Sequence, residues 1–229
     1  SWPLSRERAH AYAEKASREA GTATAWTAPD EAFEVRMHAA IDAAFDEPHV
    51  RALIDSLVAD LAQPGWSNSL SAKLLQLTAP GIPDVYQGSE LWETSLVDPD
   101  NRRPVDYAER RAALQRIDSG ELPPIDGNGH VKLLVTSRAL RARRDRPELF
   151  TRYAPLPVVG AAARHGIAFD RGGAVTIATR LPVALERDGG WHNTVVVLPG
   201  RSVIDAITGE RFGGGELPLG RVLARYPVA

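Results

Sequence analysis

Charged groups crowd into a single stretch of this chain: Glu90, Glu93, Asp98, Asp100, Arg102 and Arg103, with Asn101 among them. They stand in LLQLTAPGIPDVYQGSELWETSLVDPDNRRPVDY, residues 74–107, after an apolar run broken by Pro-Gly-Ile-Pro. Tyr86 and Gln87 lead into them. Groups of this kind can bind a polar ligand, move protons, or pair with one another. Asp98 and Asp100 flank Pro99, a spacing that suits a turn and pairing with arginine. Arg102 and Arg103 are adjacent, so their side chains point in different directions. Other chemistries lack their residues. There is no cysteine and hence no thiolate. No Gly-x-Ser-x-Gly elbow occurs. Gly213-Gly214-Gly215 lacks the lysine and helix of a phosphate loop and reads as a turn. His10, His38, His49, His130, His165 and His192 are scattered, without metal-ligand spacing.

The elements around this stretch follow from periodicity. Ser5 can cap a helix running to about Ala20, with Leu4 and Ala9 as a hydrophobic staple and Gly21 as its stop. Its apolar face is Ala9, Tyr12, Ala13, Ala16 and Ala20. Pro29 suits the first turn of a second helix carrying Phe33, Met37, Ala40, Ile41 and Ala44. A third helix follows Pro48, with Val50, Leu53, Ile54, Leu57, Val58 and Leu61 on one face. Pro64-Gly65 punctuates, and a fourth helix covers about 67–78. IPDVY is short, apolar and bracketed by proline and glycine, as a strand of an α/β barrel would be. Barrel active sites lie on the loops after the strands, so the charged loop would line a pocket while the buried strand fixes its root. A short helix at 107–118, the turn-rich GELPPIDGNGH, and a helix in VKLLVTSRALRARRDR come next. The arginines of that helix (138, 141, 143, 144 and 146) read as a solvated or domain-pairing face, lacking the aromatic interleaving of a nucleic-acid site.

After Pro147 the character changes. PLPVVG, HGIAFD, AVTIATRL, HNTVVVLPG, SVIDAITG, ELPLG and VLARY are short β-rich runs separated by Gly, Pro and Asp, the pattern of an antiparallel sandwich. The expected fold is therefore α/β plus all-β, in three parts. Residues 1–79 form a helical segment inserted before the last barrel strand. Residues 80–146 hold that strand of a (β/α)8 TIM barrel, its loop and helices. Residues 147–229 form a C-terminal antiparallel β-sandwich. The chain's 229 residues fall short of a complete barrel enzyme of roughly 250 or more. The start lacks an initiator Met and the end is apolar, which points to a piece of a longer polypeptide. The net charge of −2 gives no support for a nucleic-acid or membrane partner. The lack of cysteine fits a cytoplasmic protein.

PGIPDVYQGSE resembles the last barrel strand of the α-amylase superfamily (glycoside hydrolase family 13), whose members carry a Gly-Ile-Pro strand ending in Tyr-x-Gly-x-Glu. DPDNRRPVDY resembles the Asp-Pro-Asp-Asn/Ser-Arg-Arg-Pro segment that follows in several branches. The branch that forms trehalosyl ends is the most similar. Ser1-Trp2-Pro3, RRDRPELF, HGIAFDR, DGGWHNTVVVLPG and DAITGE extend the likeness over nearly the whole chain. The resemblance implies a glucosylmutase reaction in trehalose biosynthesis. The reducing-end α-1,4 linkage of a maltooligosaccharide is converted to an α,α-1,1 linkage by intramolecular transfer. It implies no cofactor and no metal, with two partners: the maltooligosaccharide and the preceding barrel portion of the same polypeptide.

The superfamily's three catalytic carboxylates follow the fourth, fifth and seventh strands, so the resemblance places all three before this region. No catalytic residue is expected here, and the chain alone should be inactive. A retaining glycosidase needs two carboxyls about 5–5.5 Å apart across the scissile bond. Asp98 and Asp100, in one loop, are more naturally ion-pair partners. Tyr86, Gln87, Glu90, Asp98, Asp100, Asn101, Arg102 and Arg103 are the candidate substrate-binding residues. One arginine would reach the reducing-end glucose while the other clamps the loop. Trp92 either stacks on a sugar or belongs to the core. Two other readings stand beside this one. The first is another enzyme of the superfamily, such as a glucosidase, trehalohydrolase or sucrose phosphorylase. The second is a non-catalytic carbohydrate-binding fragment, which an aromatic content of 7% argues against.

Overall fold

The computed structural model describes residues 4–229, so Trp2 and Pro3 of the N-terminal resemblance lie outside the described residues. The chain forms two compact units: Ser1–Leu61 with Glu93–Val105, and Ala62–Trp92 with Asp106–Ala229. It is a mixed structure of helices and small antiparallel sheets. No helix among the described residues is long and apolar enough to cross a membrane.

In the first unit, α1 spans Arg6–Ala20 and α2 spans Glu31–Asp46. Their ends follow local chemistry. The Ser5 hydroxyl accepts from the Arg8 amide, and Gly21 closes α1 in the left-handed region at φ 65°. Asp30, not Pro29, starts α2, its carboxylate accepting from the Phe33 amide at 2.9 Å. Arg6 meets Asp42 and Asp46, while Arg18 meets Glu34, so α1 and α2 run antiparallel. The contact is polar. None of the described residues of α1 is buried, and Glu34 alone is buried in α2. The expected alanine face of α1 is only half-covered.

The expected break at Pro64-Gly65 does not occur. A single helix, α3, spans Pro48–Thr78 with Pro64 inside it. Proline removes one backbone bond, at a cost of about 3 kcal/mol. The carbonyl it strands belongs to Asp60, which is exposed, so water can satisfy it. Beyond Pro64 the helix is fixed by Leu70, Leu74 and Leu77, all buried. The face before it stays open: Leu53, Leu57, Val58 and Leu61 are each about half exposed.

In the second unit the end of α3 packs with α4, Tyr107–Asp118, and α5, His130–Asp145. Leu70, Leu77, Ile117, Val131, Leu134 and Val135 form the middle of that core, joined by Tyr226 and Val228. IPDVY forms no strand here. Pro83 has no N–H, no parallel neighbour for this segment lies among the described residues, and a parallel strand is not stable as a single edge. Ile82 is 97% exposed, while Val85 packs against the core.

The β-rich part holds β1 (Ala154–Pro155), β2 (Val158–Val159), β3 (Gly166–Asp170) and β4 (Val175–Thr179). After α6 (Pro182–Arg187) come β5 (Val195–Leu198), β6 (Val203–Ile204), β7 (Arg211–Phe212), β8 (Gly215–Pro218) and α7 (Leu219–Val222). They make sheets ordered β1-β3-β4, β2-β5-β8 and β6-β7, all antiparallel. Two expectations change. VLARY gives the end of α7 and a turn, because Val222 and Leu223 bury as a helical pair. Arg211–Phe212 is a strand too short to show alternation; the Asp205 turn sets it opposite Val203–Ile204. Arg171 ties this part to α3. It is 5% exposed and donates to the carbonyls of Thr78, Phe150 and Arg152. Arg143 joins it, donating to the carbonyls of Leu77, Ala79 and Gly81 at the end of α3. Part of the arginine-rich face of α5 is thus a helix cap.

Candidate functional site

The candidate residues fall into two groups, one in each unit. Tyr86, Gln87 and Glu90 belong to the second. The Tyr86 carbonyl accepts from the Ser89 amide and hydroxyl, making a tight turn that leaves Tyr86 52% exposed. The Gln87 side-chain oxygen accepts from the Tyr107 hydroxyl at 3.2 Å. Glu90 pairs with Arg110 at 3.2 Å, and Arg110 also donates to the Gly88 carbonyl at 2.7 Å. Both partners, Tyr107 and Arg110, come from the first turn of α4. Beneath lies Lys73, 8% exposed, its ammonium donating to Gln76 at 2.7 Å. Burial pushes the Lys73 ammonium below its usual range, and the charge of Glu90 partly offsets this.

Trp92 has a structural post. Its ring stacks on Trp66 with centroids 5.9 Å apart, and its indole N–H donates to the Asp126 carbonyl at 2.6 Å. Gly129, at φ 76°, fits beneath it; a Cβ there would lie 2.7 Å from the Trp92 nitrogen. This tryptophan pins the end of the segment, so the core reading describes it.

Asp98, Asp100, Asn101, Arg102 and Arg103 belong to the first unit, in a loop with a 3-10 turn at Asp100–Arg102. Arg8 of α1 organises the loop. Its Nε and Nη2 donate to the two oxygens of Asp100, each at 2.7 Å, and Nη2 also reaches the Thr94 carbonyl. Asp100 further accepts from the Leu96 amide at 2.6 Å. Its side chain is 15% exposed, and the Arg8 guanidinium holds its carboxyl well below the usual carboxylate range. Lys15 of α1 donates to the Asp98 carbonyl. Asp100 is thus an ionised anchor, without a proton to give.

The two arginines differ, as adjacency predicts. Arg103, 47% exposed, folds back on its own loop, donating to the Ser95 hydroxyl at 2.9 Å and the Asp100 carbonyl at 3.1 Å. Arg102 turns outward, 70% exposed, and pairs with Asp98 at 2.6 Å. Asn101 is exposed, and its side chain makes no hydrogen bond among the described residues. A depression of about 250 Å³ lies against the loop, lined by Arg8, Tyr12, Lys15, Val97 and Pro99 among others. Arg102, Asn101 and Asp98 therefore present donors and acceptors outward, which suits binding of hydroxyl groups. Arg8 and Lys15 were invisible to sequence reasoning. They sit 92 and 83 residues from their partners, and nothing local marks them.

No protein-family profile matches the chain. Individual proteins do. It is 45% identical over 237 aligned residues to a Mycobacterium tuberculosis (strain H37Rv) protein carrying the provisional name maltooligosyl trehalose synthase. That alignment covers 99% of this chain and 29% of the relative. Among solved structures, maltooligosyltrehalose synthase from Arthrobacter ramosus superposes with a TM-score of 0.96 at 55% identity, over 100% of this chain and 30% of its own. A hypothetical maltooligosyl trehalose synthase from Sulfolobus tokodaii gives a TM-score of 0.69 at 27% identity, over 93% of this chain and 27% of its own. The chain spans about three-tenths of the length of these relatives.

Proposed function

We propose that this chain is a C-terminal portion of a maltooligosyl trehalose synthase and forms one wall of its glucosyl-transferring site. The observation that carries it is the match of this whole chain to three-tenths of the Arthrobacter enzyme, joined to a loop whose outermost ion pair, Arg102 with Asp98, is exposed to a ligand. In this reading residues 82–86 pair as the last strand of a (β/α)8 barrel once the preceding portion of the polypeptide supplies neighbours. That portion also covers Ile82 and the apolar face of α3, which would otherwise stay in water. The β-rich part serves as the C-terminal sandwich domain.

The reaction of the complete enzyme is an intramolecular transglucosylation. A carboxylate of the preceding portion attacks the anomeric carbon of the penultimate glucose, and the α-1,4 bond to the terminal glucose breaks. The terminal glucose leaves with a proton on its 4-oxygen. It turns, and its anomeric hydroxyl attacks the covalent intermediate, giving up its proton and forming the α,α-1,1 bond. Water in the same position would instead release glucose. The chain's contribution is to hold the detached glucose while it turns, which favours transfer over hydrolysis. Arg102, Asn101 and Asp98 are the residues for that grip, and Asp100 and Arg103 shape their loop. In the second unit Tyr86 and Gln87 are further candidates for substrate contact, in a segment that Glu90 fixes through Arg110. The chain alone is inactive, because it brings no catalytic carboxylate.

The test uses the complete polypeptide acting on maltopentaose. Arg102→Ala should raise the share of free glucose severalfold with little loss of melting temperature. Arg103→Ala should lower the melting temperature with a smaller change in that share. An unchanged glucose-to-trehalosyl ratio in Arg102→Ala removes the proposed grip.

A further inference from the structure

A cavity of about 560 Å³ opens beside α5 in the second unit. Small-molecule sites occupy about 300–1,000 Å³. Its walls are apolar, with Leu74, Ala139, Val175, Ile177, Phe212 and Leu217 among them. These residues stand on α3, α5, β4, β7 and β8, with loop residues such as Ser202, Ala206 and Ile207 completing the lining.

The charged side chains lining this cavity are mostly of one sign. Arg138, Arg146 and Arg201 all line it. Arg146 and Arg201 are exposed and so belong to its mouth, while Arg138 is half-buried. Arg146 is engaged with Glu148. Arg201 has no ion pair among the described residues, whereas Arg138 is engaged, its Nη2 donating to the Ile117 carbonyl at 3.4 Å and its Nε buried. The lining side-chain carboxylate, Asp205, is taken up by its own turn, accepting from the Ile207 and Thr208 amides at 2.9 and 3.2 Å. An apolar body under one guanidinium without an ion pair does not suit a sugar, which needs hydroxyl partners at every ring. It suits an amphipathic anion, since a guanidinium presents paired donors to a carboxylate.

We propose that this cavity binds a medium-chain carboxylate, its hydrocarbon chain against the apolar walls and its headgroup on Arg201 at the mouth. The site is independent of the sugar-binding loop and of the function proposed for it. The test is calorimetric titration of the purified chain with decanoate, with 1-decanol and maltoheptaose as comparators. Decanoate should bind saturably at a single site, with 1-decanol about tenfold weaker for want of the charged headgroup. Arg201→Ala, at an exposed position, should weaken decanoate about tenfold and leave 1-decanol unchanged. Ala142→Trp, in the cavity wall, should abolish both while the circular dichroism spectrum is kept. The proposal is overturned by any of three results: no saturable decanoate binding, equal affinity for 1-decanol, or displacement of decanoate by maltoheptaose. Decanoate binding indifferent to Arg201→Ala also overturns it, since the ligand would then sit on another apolar surface, such as the open face of α3.

Discussion

Replacing Arg8 by alanine tests whether the 93–105 loop is held from α1. The guanidinium makes two charged bonds to Asp100, each 2.7 Å, and one to the Thr94 carbonyl. Charged hydrogen bonds contribute about 1.5–3 kcal/mol. The lower part of that range applies, because Asp100 keeps the Leu96 amide and has Arg103 at 3.4 Å after the change. A loss of about 2 kcal/mol corresponds to a roughly thirtyfold shift in the equilibrium between held and open loop. Native-state hydrogen exchange at the Leu96 amide reads this shift, since that amide is bonded to Asp100 and opens with the loop. Its exchange, corrected for the intrinsic rate, should accelerate about thirtyfold in Arg8→Ala. Asp100→Asn should give a similar change, and the double variant should add little to either single one.

The sign of the pH dependence follows from the same pair. Asp100 is held below its ordinary range, chiefly by its hydrogen bonds from Arg8. The folded state therefore binds this proton less readily than the unfolded state. The stabilisation is present above the ordinary carboxylate pKa, about 4, and is lost as pH falls through the depressed folded value. Leu96 protection should hold from neutrality to mildly acid pH and fail only in strong acid. In Arg8→Ala the failure should begin closer to pH 4. Acceleration below about threefold in Arg8→Ala, or full additivity of the two variants, refutes the anchor.

Two further outcomes can be checked on the same chain. Glu34, whose pKa is lowered to about 2 by hydrogen bonds from Arg18 and then Thr24, stabilises the α1–α2 pair above its ordinary pKa and ceases to as pH falls toward that value. Glu34→Gln should lower the melting temperature at neutral pH and flatten its decline in acid; an identical acid limb in the variant contradicts this. Gly129→Ala should destabilise more than Gly190→Ala. Both positions have positive φ, 76° and 86°, but only the first would set a Cβ 2.7 Å from Trp92. Urea titration of both variants measures the difference, and equal losses would show that backbone strain alone accounts for the effect.

Local chemistry was legible where it acts over a few residues. Ser5 and Gly21 bound α1 as their capping chemistry requires, and the β3 and β4 runs pair as antiparallel neighbours. The failures share a cause: the deciding partner is distant in sequence. Pro64 reads as a stop, yet leucines beyond it are buried by α4 and α5 and carry the helix through. Trp92 reads equally as a sugar platform or as core until Trp66, Asp126 and Gly129 are seen around it. The candidate loop shows both situations at once. Adjacency of Arg102 and Arg103 dictates opposite directions, but not which one faces outward. That is decided by Arg8, which draws Asp100 inward and with it the Ser95 side of the loop, where Arg103 binds. Arg102 is left with Asp98, 70% exposed, at a surface where a bound hydroxyl would compete only with water and one carboxylate. The division of labour between neighbouring identical residues thus originates on a helix 92 residues away. The grip proposed for Arg102 therefore depends on the anchor, and weakening Arg8 in the complete polypeptide should blur the distinction between the two arginines.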